Sequence, residues 1–391
     1  MTYRKPFITM SRTTRTRLLS LGALVAGVLF FWVARQIRPA VAAPRGVQTG
    51  ADLTESVVRL IRADYVEEPN AKATMEGGFR GLANSLDALS SYLDKDAARK
   101  SADAALSGYK DIGLIVFKRA STFPVVVGLV EGSPAEKAGL KTGDVVSALD
   151  DASTILPSLP EIRLALKASE AKPVKVRIIR DNETKEISVV RGDVYPKPFA
   201  FTEQAGTSGV LAVAHFHPPL VDELKANLLP RLAGKTRPLI LDLRFAYEGD
   251  NAEALRFVNL FVQTAKAGQF EKKGGVKETL ACPDPAPLGN LPIVLWIAPS
   301  TMGPAEIAAA CLRDLRQAKA VGTLTPGLTA RQDVFALPGG DALLLTTGIF
   351  LTASGEKIWS KGIVPDVKID AGRSDRKAYL EKSSALLTPR S

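Results

Sequence analysis

Two nearly continuous apolar runs in the second half of the chain constrain its fold most strongly. They read RPLILDLRF at residues 237–245 and LPIVLWIAP at residues 291–299. Such runs are typical of strands buried on both faces, whereas strands with one wet face alternate apolar and polar residues. Residues 219–233 and 251–265 show helical spacing between and beside these runs. The alternation predicts a sheet covered by helices, which is an α/β architecture.

Length and charge bound the rest of the chain. A chain of 391 residues exceeds what one hydrophobic core usually covers, so two or three domains are expected. The formal net charge is +10, but residues 1–50 contain eight Lys or Arg and no Asp or Glu, which leaves +2 for the remainder. The folded part therefore has no basic block of the kind that a nucleic-acid groove needs, and no nucleic-acid partner is expected.

The N-terminal segment has the pattern of an export signal. A basic start, RTTRTR, precedes an uncharged apolar run at residues 18–34, and we interpret residues 1–45 as a signal peptide or membrane anchor. An Ala-Val-Ala sequence at residues 40–42 favours cleavage, whereas two arginines between it and the run favour an uncleaved anchor. Both alternatives place the body in the periplasm or on the extracytoplasmic face of the cytoplasmic membrane.

Short strands and helices alternate in residues 106–195 around the sequence SPAEKAGLKTGD. Pro134 begins a short helix, Gly139 ends it, and Gly143 turns the chain into the strand VVSAL. This segment resembles a PDZ domain. The resemblance predicts a compact domain that binds peptides.

A PDZ domain captures an extended peptide, usually by its free C-terminus, at the edge of its sheet, while consecutive backbone N–H groups hold the carboxylate. The resemblance implies that this carboxylate loop is Asp111-Ile112-Gly113-Leu114. Gly113 would let the backbone approach the ligand, and Ile112 and Leu114 would shape an apolar pocket. The alternative is a PDZ fold that serves only as a spacer or lid.

The remaining segments complete the domain prediction. Helical spacing in residues 46–105 predicts a helical arm ahead of the PDZ domain. The helix-covered sheet occupies residues 196–375, and residues 376–391 form a C-terminal tail that begins as a helix. The fold class is thus α/β in the sheet domain and α+β for the chain overall.

A second resemblance covers residues 52–370. Residues 339–369 read GGDALLLTTGIFLTASGEKIWSKGIVPDVKI. Together with the arm, the PDZ domain and the LILDLR strand, this sequence resembles the carboxyl-terminal (tail-specific) processing proteases, which are serine proteases that act outside the cytoplasmic membrane. The resemblance implies a serine-type peptidase fold, and the sequence contains no motif that requires a cofactor.

In that family the nucleophile is the middle serine of a Ser-Ala-Ser-Ala-Ser-Glu-Ile run at the start of a helix. The corresponding sequence here is STMGPAEI, in which Glu306 and Ile307 fix the register and Gly303 takes the nucleophile position. Glycine has no side chain and cannot attack a carbonyl. Gly303 followed by Pro304 is instead a favourable helix start, and Glu306 in the first turn complements the helix dipole.

The family's base is a lysine in a downstream Phe-Gly-Lys-Gly loop, where desolvation allows its amine to take the serine proton. Gly322 and Gly327 align that position with Leu328, which has no lone pair to accept a proton. A glutamine that the family carries beyond its lysine is retained as Gln332. The register is therefore supported while both members of the dyad are replaced.

Two further family motifs are altered. The glycine-rich loop that helps to line the oxyanion site is replaced by residues 245–249, FAYEG, in which Glu248 brings a negative charge. The family's Asp-Pro-His-Ser is replaced by residues 87–90, DALS. Four altered motifs suggest a relaxed or redirected function.

Other nucleophiles and sites remain as alternatives. Ser300 and Thr301 precede the turn and could form a relocated dyad with a downstream lysine, for which the candidates are Lys319, Lys357 and Lys361. The two histidines, His215 and His217, are expected to share a face of a strand and could join Asp242 and Ser300 in a triad, or a carboxylate in a metal site. We interpret them instead as structural, and no metal is predicted.

Two cysteines, Cys282 and Cys311, allow one disulfide in an oxidising compartment, with two buried free thiols as the alternative.

The sequence predicts an exported pseudoprotease without catalytic residues. We expect it to bind polypeptides or protein C-termini as an adaptor, scaffold or regulator, with an active relative and the inner membrane as further partners. The alternatives are an active serine-type endopeptidase that uses noncanonical residues and a purely structural protein with an empty PDZ groove.

Overall fold

The structure, a computed structural model, describes residues 50–104, 109–194, 197–370 and 375–387. The chain forms two compact units, Met1–Asn70 and Ala71–Ser391. The predicted signal peptide or anchor lies outside the described residues, and no helix within them is long and apolar enough to cross a membrane.

The predicted arm contains helices and one short strand. These elements are α1 (Gly50–Asp64) in the first unit, and α2 (Ala71–Asn84), β1 (Ser91–Leu93) and α3 (Lys95–Ala104) in the second. Arg80 of α2 donates to Glu161 at 2.8 Å and to Asp94 at 3.0 Å. The later part of the arm is therefore fixed to the domain that follows it.

The PDZ-like region has the predicted order of elements. They are β2 (Leu114–Phe117), β3 (Val125–Leu129), α4 (Pro134–Lys137), β4 (Val145–Leu149), β5 (Ala152–Ser153), α5 (Leu159–Leu166), β6 (Pro173–Arg180) and β7 (Glu183–Val190). Pro134 occupies the first turn of α4, and the side chain of Ser133 caps that helix. The strands pair antiparallel in the order β2-β3-β4-β6-β7, which leaves β2 at an edge.

The larger region is built on two sheets. Its elements are β8 (Phe199–Thr202), β9 (Gly209–Val213), α6 (Leu220–Asn227), α7 (Leu229–Leu232), β10 (Leu239–Asp242), α8 (Asn251–Asn259), β11 (Thr264–Lys272), β12 (Lys277–Cys282), β13 (Ile293–Ile297), α9 (Pro304–Arg316), β14 (Lys319–Gly322), β15 (Ala330–Ala336), β16 (Ala342–Thr352), β17 (Val367–Lys368) and α10 (Arg376–Leu387). The predicted apolar runs form β10 and β13, which pair in parallel at the centre of one sheet. Its order is β17-β14-β13-β10-β9-β8, and only β8 is antiparallel to its neighbour.

Three details of the sequence prediction are wrong. The helix predicted at residues 251–265 ends at Asn259, because the chain turns into β11. The helix predicted at residues 219–233 is divided at Leu228 into α6 and α7. The second sheet, in which β1 and β11 pair with one side of β16 and β15 with the other, was not predicted.

Helices cover the parallel sheet as predicted. A large core joins α6, α8 and α9 to one face of the sheet. On the other face, Trp296 donates to Ser383 of α10 at 2.9 Å, and Tyr379 donates to the carbonyl of Ile297 at 2.9 Å. Cys282 and Cys311 are both free and buried. The loops that follow β10 and β13 meet at one edge of this sheet, where α/β folds place their sites.

Candidate functional site

The turn that follows β13 ends at Gly303, the N-cap of α9. Its backbone has φ 55° and ψ −118°, a conformation that only glycine adopts without strain. The hydroxyl of Thr301 donates to the carbonyl of Leu243 at 2.9 Å and accepts from the N–H of Ala298 at 2.9 Å, which holds the turn against β10. This is the strained strand-to-helix geometry on which serine hydrolases can mount a nucleophile.

The positions assigned to the nucleophile and the base lie close together. A Cβ atom built on Gly303 would approach the carbonyl oxygen of Leu328 to 3.9 Å. Apart from the residues directly before and after Gly303, this oxygen is the one heavy atom within 4 Å of it. There is therefore room for a side chain at position 303, beside the backbone of residue 328. The two residues present there offer neither a nucleophile nor a proton acceptor.

Leu328 belongs to the hydrophobic core of the PDZ domain. Its exposure is 5 %, and the buried cluster around it combines PDZ residues with residues of the sheet domain. The members from outside the PDZ domain are Leu89, Tyr247, Met302, Leu328 and Ala330. The base position is thus part of an apolar contact between the two domains.

Glu306 fixes the loop of Leu328 to the start of α9. Its buried carboxylate accepts hydrogen bonds from the hydroxyl of Thr325 at 2.5 Å and from the N–H groups of Gly327 at 2.7 Å and Leu328 at 2.6 Å. A longer bond comes from the N–H of Gly303 at 3.3 Å. Burial raises the pKa of Glu306 to about 7, although these hydrogen bonds oppose the shift.

This role of Glu306 differs from the one expected from the sequence. Besides lying in the first turn of α9, its carboxylate is the common acceptor for two segments of the site. A glutamate in the first turn after a Gly-Pro helix start was the available signal, but its partners lie 19 to 22 residues further along the chain. The carboxylate of Glu306 thus ties the turn at Gly303 to the loop of Leu328.

Ser300 and the three candidate lysines do not form a replacement dyad. The hydroxyl of Ser300 is buried and donates to the carbonyl of Arg244 at 2.5 Å. A lysine base must be desolvated to be neutral near pH 7, whereas the candidate lysines are exposed; they are Lys319, Lys357 and Lys361. Asp242, the carboxylate considered for a triad, forms a buried ion pair with Arg244 at 2.7 Å.

The loop at residues 245–249 contacts both domains. The carbonyl of Ala246 accepts from the N–H of Met302 at 3.1 Å. The carboxylate of Glu248 forms an ion pair with Lys167, the C-cap of α5, at 2.5 Å. Burial alone would raise the pKa of Glu248, but Lys167 holds it below its ordinary value. The negative charge expected from the sequence is present, and a PDZ cation compensates it.

His215 and His217 follow β9 rather than lying within it, because that strand ends at Val213. Their ring centroids are 5.2 Å apart, and the N–H of His217 donates to Nδ1 of His215 at 3.2 Å. Burial, with His217 as a second cause, lowers the pKa of His215 to about 4, and burial also lowers the pKa of His217. Within the described residues no group of three or more His, Cys, Asp or Glu could hold a metal ion.

The low pKa of His215 predicts acid sensitivity. The folded state disfavours the charged imidazole, so the stability from neutral His215 is complete above pH 6.5 and is lost as the pH falls toward 4. The oxygen of an asparagine can replace the Nδ1 acceptor. Between pH 6.5 and pH 4.5 we therefore expect the free energy of unfolding to fall by about 1–2 kcal/mol less in His215→Asn than in the native protein. Urea denaturation at the two pH values measures this difference, and parallel losses would contradict the prediction.

The residues predicted to bind a peptide carboxylate form a compact, buried loop. Asp111 is 5 % exposed, and Ile112 and Leu114 are at most 1 % exposed. Gly113 has φ 76°, and a Cβ atom there would lie 2.4 Å from Cβ of Ser133. Peptide binding by this loop stays a prediction.

Gln332 contacts another of the altered motifs. Its Nε2 donates to the carbonyl of Leu89 at 2.7 Å. The loop at residues 87–90 is itself closed by Asp87, whose carboxylate accepts from the N–H groups of Leu89 at 2.7 Å and Ser90 at 2.6 Å. The altered loop is therefore bonded to the strand that follows Leu328, and Leu89 and Leu328 belong to the same apolar cluster.

A cavity of about 490 Å³ adjoins the site. PDZ strand β3 forms one wall, through Val127, Gly128 and Leu129, and the sheet domain forms another, which includes Phe245 and Ser300. Gly128 packs directly on Ser300, because a Cβ atom there would lie 2.7 Å from the serine hydroxyl. The cavity gives the site an open space between the two domains.

Comparison with known proteins gives the class of the two domains. Residues 111–190 match the PDZ domain, and residues 208–369 match peptidase family S41. The chain thus contains one segment that matches the PDZ domain and one that matches peptidase family S41, and its resemblance to the carboxyl-terminal processing proteases is confirmed in sequence and fold.

Individual relatives support this class. A protein of Staphylococcus haemolyticus (strain JCSC1435), named probable CtpA-like serine protease, is 26% identical over 318 residues, or 81% of this chain and 64% of that protein. A protein of the same name from Staphylococcus aureus (strain MRSA252) is 26% identical over 326 residues, or 83% of this chain and 65% of its own length. This chain therefore spans slightly less than two thirds of these relatives.

A solved structure shares the fold. The photosystem II D1 C-terminal processing protease superposes with a TM-score of 0.70 at 20% identity, covering 87% of this chain and 91% of that one. The predicted mixed α/β fold class is thereby confirmed.

Proposed function

We propose that this chain is an exported, membrane-tethered pseudoprotease that binds polypeptide without hydrolysing it. The observation that carries the proposal is the pair of neighbouring positions 303 and 328. The helix start at 303 has the strained turn of a nucleophile mount and lies beside residue 328, yet the residues present are glycine and leucine. Binding can persist without these two side chains, because the walls of a site and its reacting groups are separate parts.

The adjoining cavity supports the binding part of the proposal. Its volume, about 490 Å³, and its mixed lining suit a segment of polypeptide. Peptide held there would contact the PDZ strand β3 and the loops after β10 and β13. A protein of this kind acts as an adaptor, scaffold or regulator, with an active relative as a co-assembling partner, at the membrane to which residues 1–45 direct it.

A second candidate is an active endopeptidase that uses noncanonical residues. The names of the relatives favour it, as does the retained frame around Glu306. It would require Ser300 to give up its hydrogen bond to Arg244 and to gain a desolvated base.

Cleavage of an unstructured polypeptide distinguishes the two candidates. We expect the full chain, purified in detergent, to cleave casein no faster than a buffer control. The variant Gly303→Ser/Leu328→Lys is expected to gain slow hydrolysis if it folds, as judged by its thermal unfolding. Cleavage by the native chain that Ser300→Ala abolishes would establish the second candidate instead.

Binding is measured with the same casein, labelled with fluorescein, by anisotropy. Binding without cleavage supports the proposed function, and absence of binding would refute it.

A further inference from the structure

The PDZ loop predicted to capture a carboxylate already holds one from its own first residue. Oδ1 of Asp111 accepts hydrogen bonds from the N–H of Ile112 at 2.5 Å and from the N–H of Gly113 at 3.0 Å. These are two of the consecutive N–H groups that a PDZ domain offers to a peptide terminus. The side chain of Asp111 is therefore where the ligand carboxylate would be.

The next N–H group of the loop has the orientation that peptide capture needs. The N–H of Val130 donates to the carbonyl of Gly113 at 3.0 Å, and Leu114 is paired with Leu129. Leu114 is therefore in a non-hydrogen-bonded pair, and its own N–H points away from β3 toward the free edge of β2. The loop has the geometry of a carboxylate site, rather than that of a turn unrelated to binding.

Charges of both signs surround Asp111: the carboxylate of Glu248 and the cations Lys167 and Lys100 all act on it. Burial and the charge of Glu248 raise the pKa of Asp111, and Lys167, which opposes this shift, already pairs with Glu248 at 2.5 Å. Lys100 donates to the carbonyl of Lys167 at 2.6 Å. A peptide terminus entering here would find two of the N–H groups already bonded to the carboxylate of Asp111.

The edge of β2 is also covered. Leu114, Ile115 and Val116 are each at most 1 % exposed. They belong to the cluster that contains Met302 and Leu328 of the S41 domain. A peptide that adds to this edge must first displace the contacts that cover it.

We propose that Asp111 is an intramolecular ligand of the PDZ loop and excludes free C-termini from it. The polypeptides that this chain binds are then internal segments, recognised without their terminal carboxylate. This inference deepens the proposed polypeptide-binding function and rests on it, and it narrows the expectation of C-terminal recognition. Asp111 is a specificity-determining residue.

Chemical rescue tests the occupied loop independently of any polypeptide. In Asp111→Ala the two N–H groups lose their acceptor, and added acetate can replace it. We expect 100 mM sodium acetate, compared with sodium chloride of equal ionic strength at pH 7, to raise the Tm of this variant in the full chain by about 3 °C. The native protein, Asp111→Asn, which retains an acceptor oxygen, and Asp151→Ala, which removes an exposed carboxylate of the same domain, should not respond.

Two results of this experiment would overturn the proposal. One is an equal response of all four proteins, which would be a general effect of acetate. The other is no response of a folded Asp111→Ala, which would mean that the loop is not a carboxylate site. If Asp111→Ala does not fold, the response is measured in Asp111→Ser, whose shorter side chain also leaves room for acetate.

A matched peptide pair tests the specificity. A fluorescein-labelled nonapeptide with an apolar last residue is titrated as the free acid and as the amide. We expect native protein to bind both within twofold, and Asp111→Ala to prefer the free acid by about tenfold. A native preference for the acid, or an unchanged ratio in the variant, would refute the exclusion. If native protein binds neither this pair nor casein, the proposed function fails, and the acetate response alone decides whether Asp111 occupies a carboxylate site.

Discussion

Leu328→Lys is expected to lower the free energy of unfolding by about 3–5 kcal/mol at pH 7. The side chain at this position is 5 % exposed and belongs to the cluster that joins the PDZ and S41 domains. A lysine there must either bury an ammonium group among apolar side chains or bind one proton less than in the unfolded chain. Urea denaturation measures the loss.

The pH dependence of this variant identifies the cause. The folded state would lower the pKa of the new lysine, so the unfolded state binds more protons and the stability of the variant rises with pH. We expect the deficit relative to native protein to shrink as the pH approaches 10, where the unfolded lysine also loses its proton. Leu328→Met, which nearly conserves volume, should cost less than about 1.5 kcal/mol. A deficit that is the same for both substitutions and independent of pH would contradict this account.

Glu306→Ala is expected to lower the free energy of unfolding by about 3–4 kcal/mol near pH 6, because four donors lose their acceptor inside the protein. These donors are the hydroxyl of Thr325 and the N–H groups of Gly303, Gly327 and Leu328. Glu306→Gln retains one acceptor oxygen and should recover about half of the loss. Glu356→Gln, an exposed glutamate of the same domain, should be neutral.

Glu306 also makes the stability of the protein depend on pH. Its pKa of about 7 lies above the ordinary 4.5, so the folded state binds more protons between these values. The stability linked to this group is complete below pH 4.5 and is lost as the pH rises through 7. The free energy of unfolding of the native protein should therefore fall between pH 5 and pH 8 more than that of Glu306→Ala. If Glu306→Gln costs as much as Glu306→Ala, or if both follow the native pH dependence, the role assigned to this carboxylate is wrong.

The sequence predicts those parts of the fold that local patterns encode. The apolar runs of β10 and β13 and the capped helix at Pro134 are of this kind, because burial on both faces and helix capping leave signals within a few residues. The second sheet leaves a weaker signal. Its strand β11 begins five residues after α8 ends, and Gly268 is required there because a Cβ atom would lie 2.5 Å from the ring of Phe350, a partner distant in sequence.

Some features of the candidate site could likewise be predicted from local sequence, whereas others could not. Counting along the chain assigned Gly303 and Leu328, which lie close together in the structure, and the assignment of the two catalytic positions stays a prediction. The ion pair between Lys167 and Glu248 joins residues 81 positions apart, so no local sequence pattern predicts it. The hydrogen bonds of Asp111 are local, but a carboxylate directly before a glycine loop has the same sequence whether it turns inward or outward. These contacts depend on how the two domains pack.

Under the proposed function, in which the nucleophile has been lost, the conformation of Gly303 makes that loss difficult to reverse. With φ 55° and ψ −118°, any residue other than glycine would cost about 1–3 kcal/mol in backbone strain at this point. A mutation back to serine would incur this cost at once, while its benefit would require a lysine at position 328 as well. Each step alone lowers stability and gives no activity, so selection would oppose both single intermediates. The strain at this turn thus opposes a return to a Ser/Lys dyad. A descendant of this chain would regain the dyad more readily after substitutions elsewhere had first raised its free energy of unfolding.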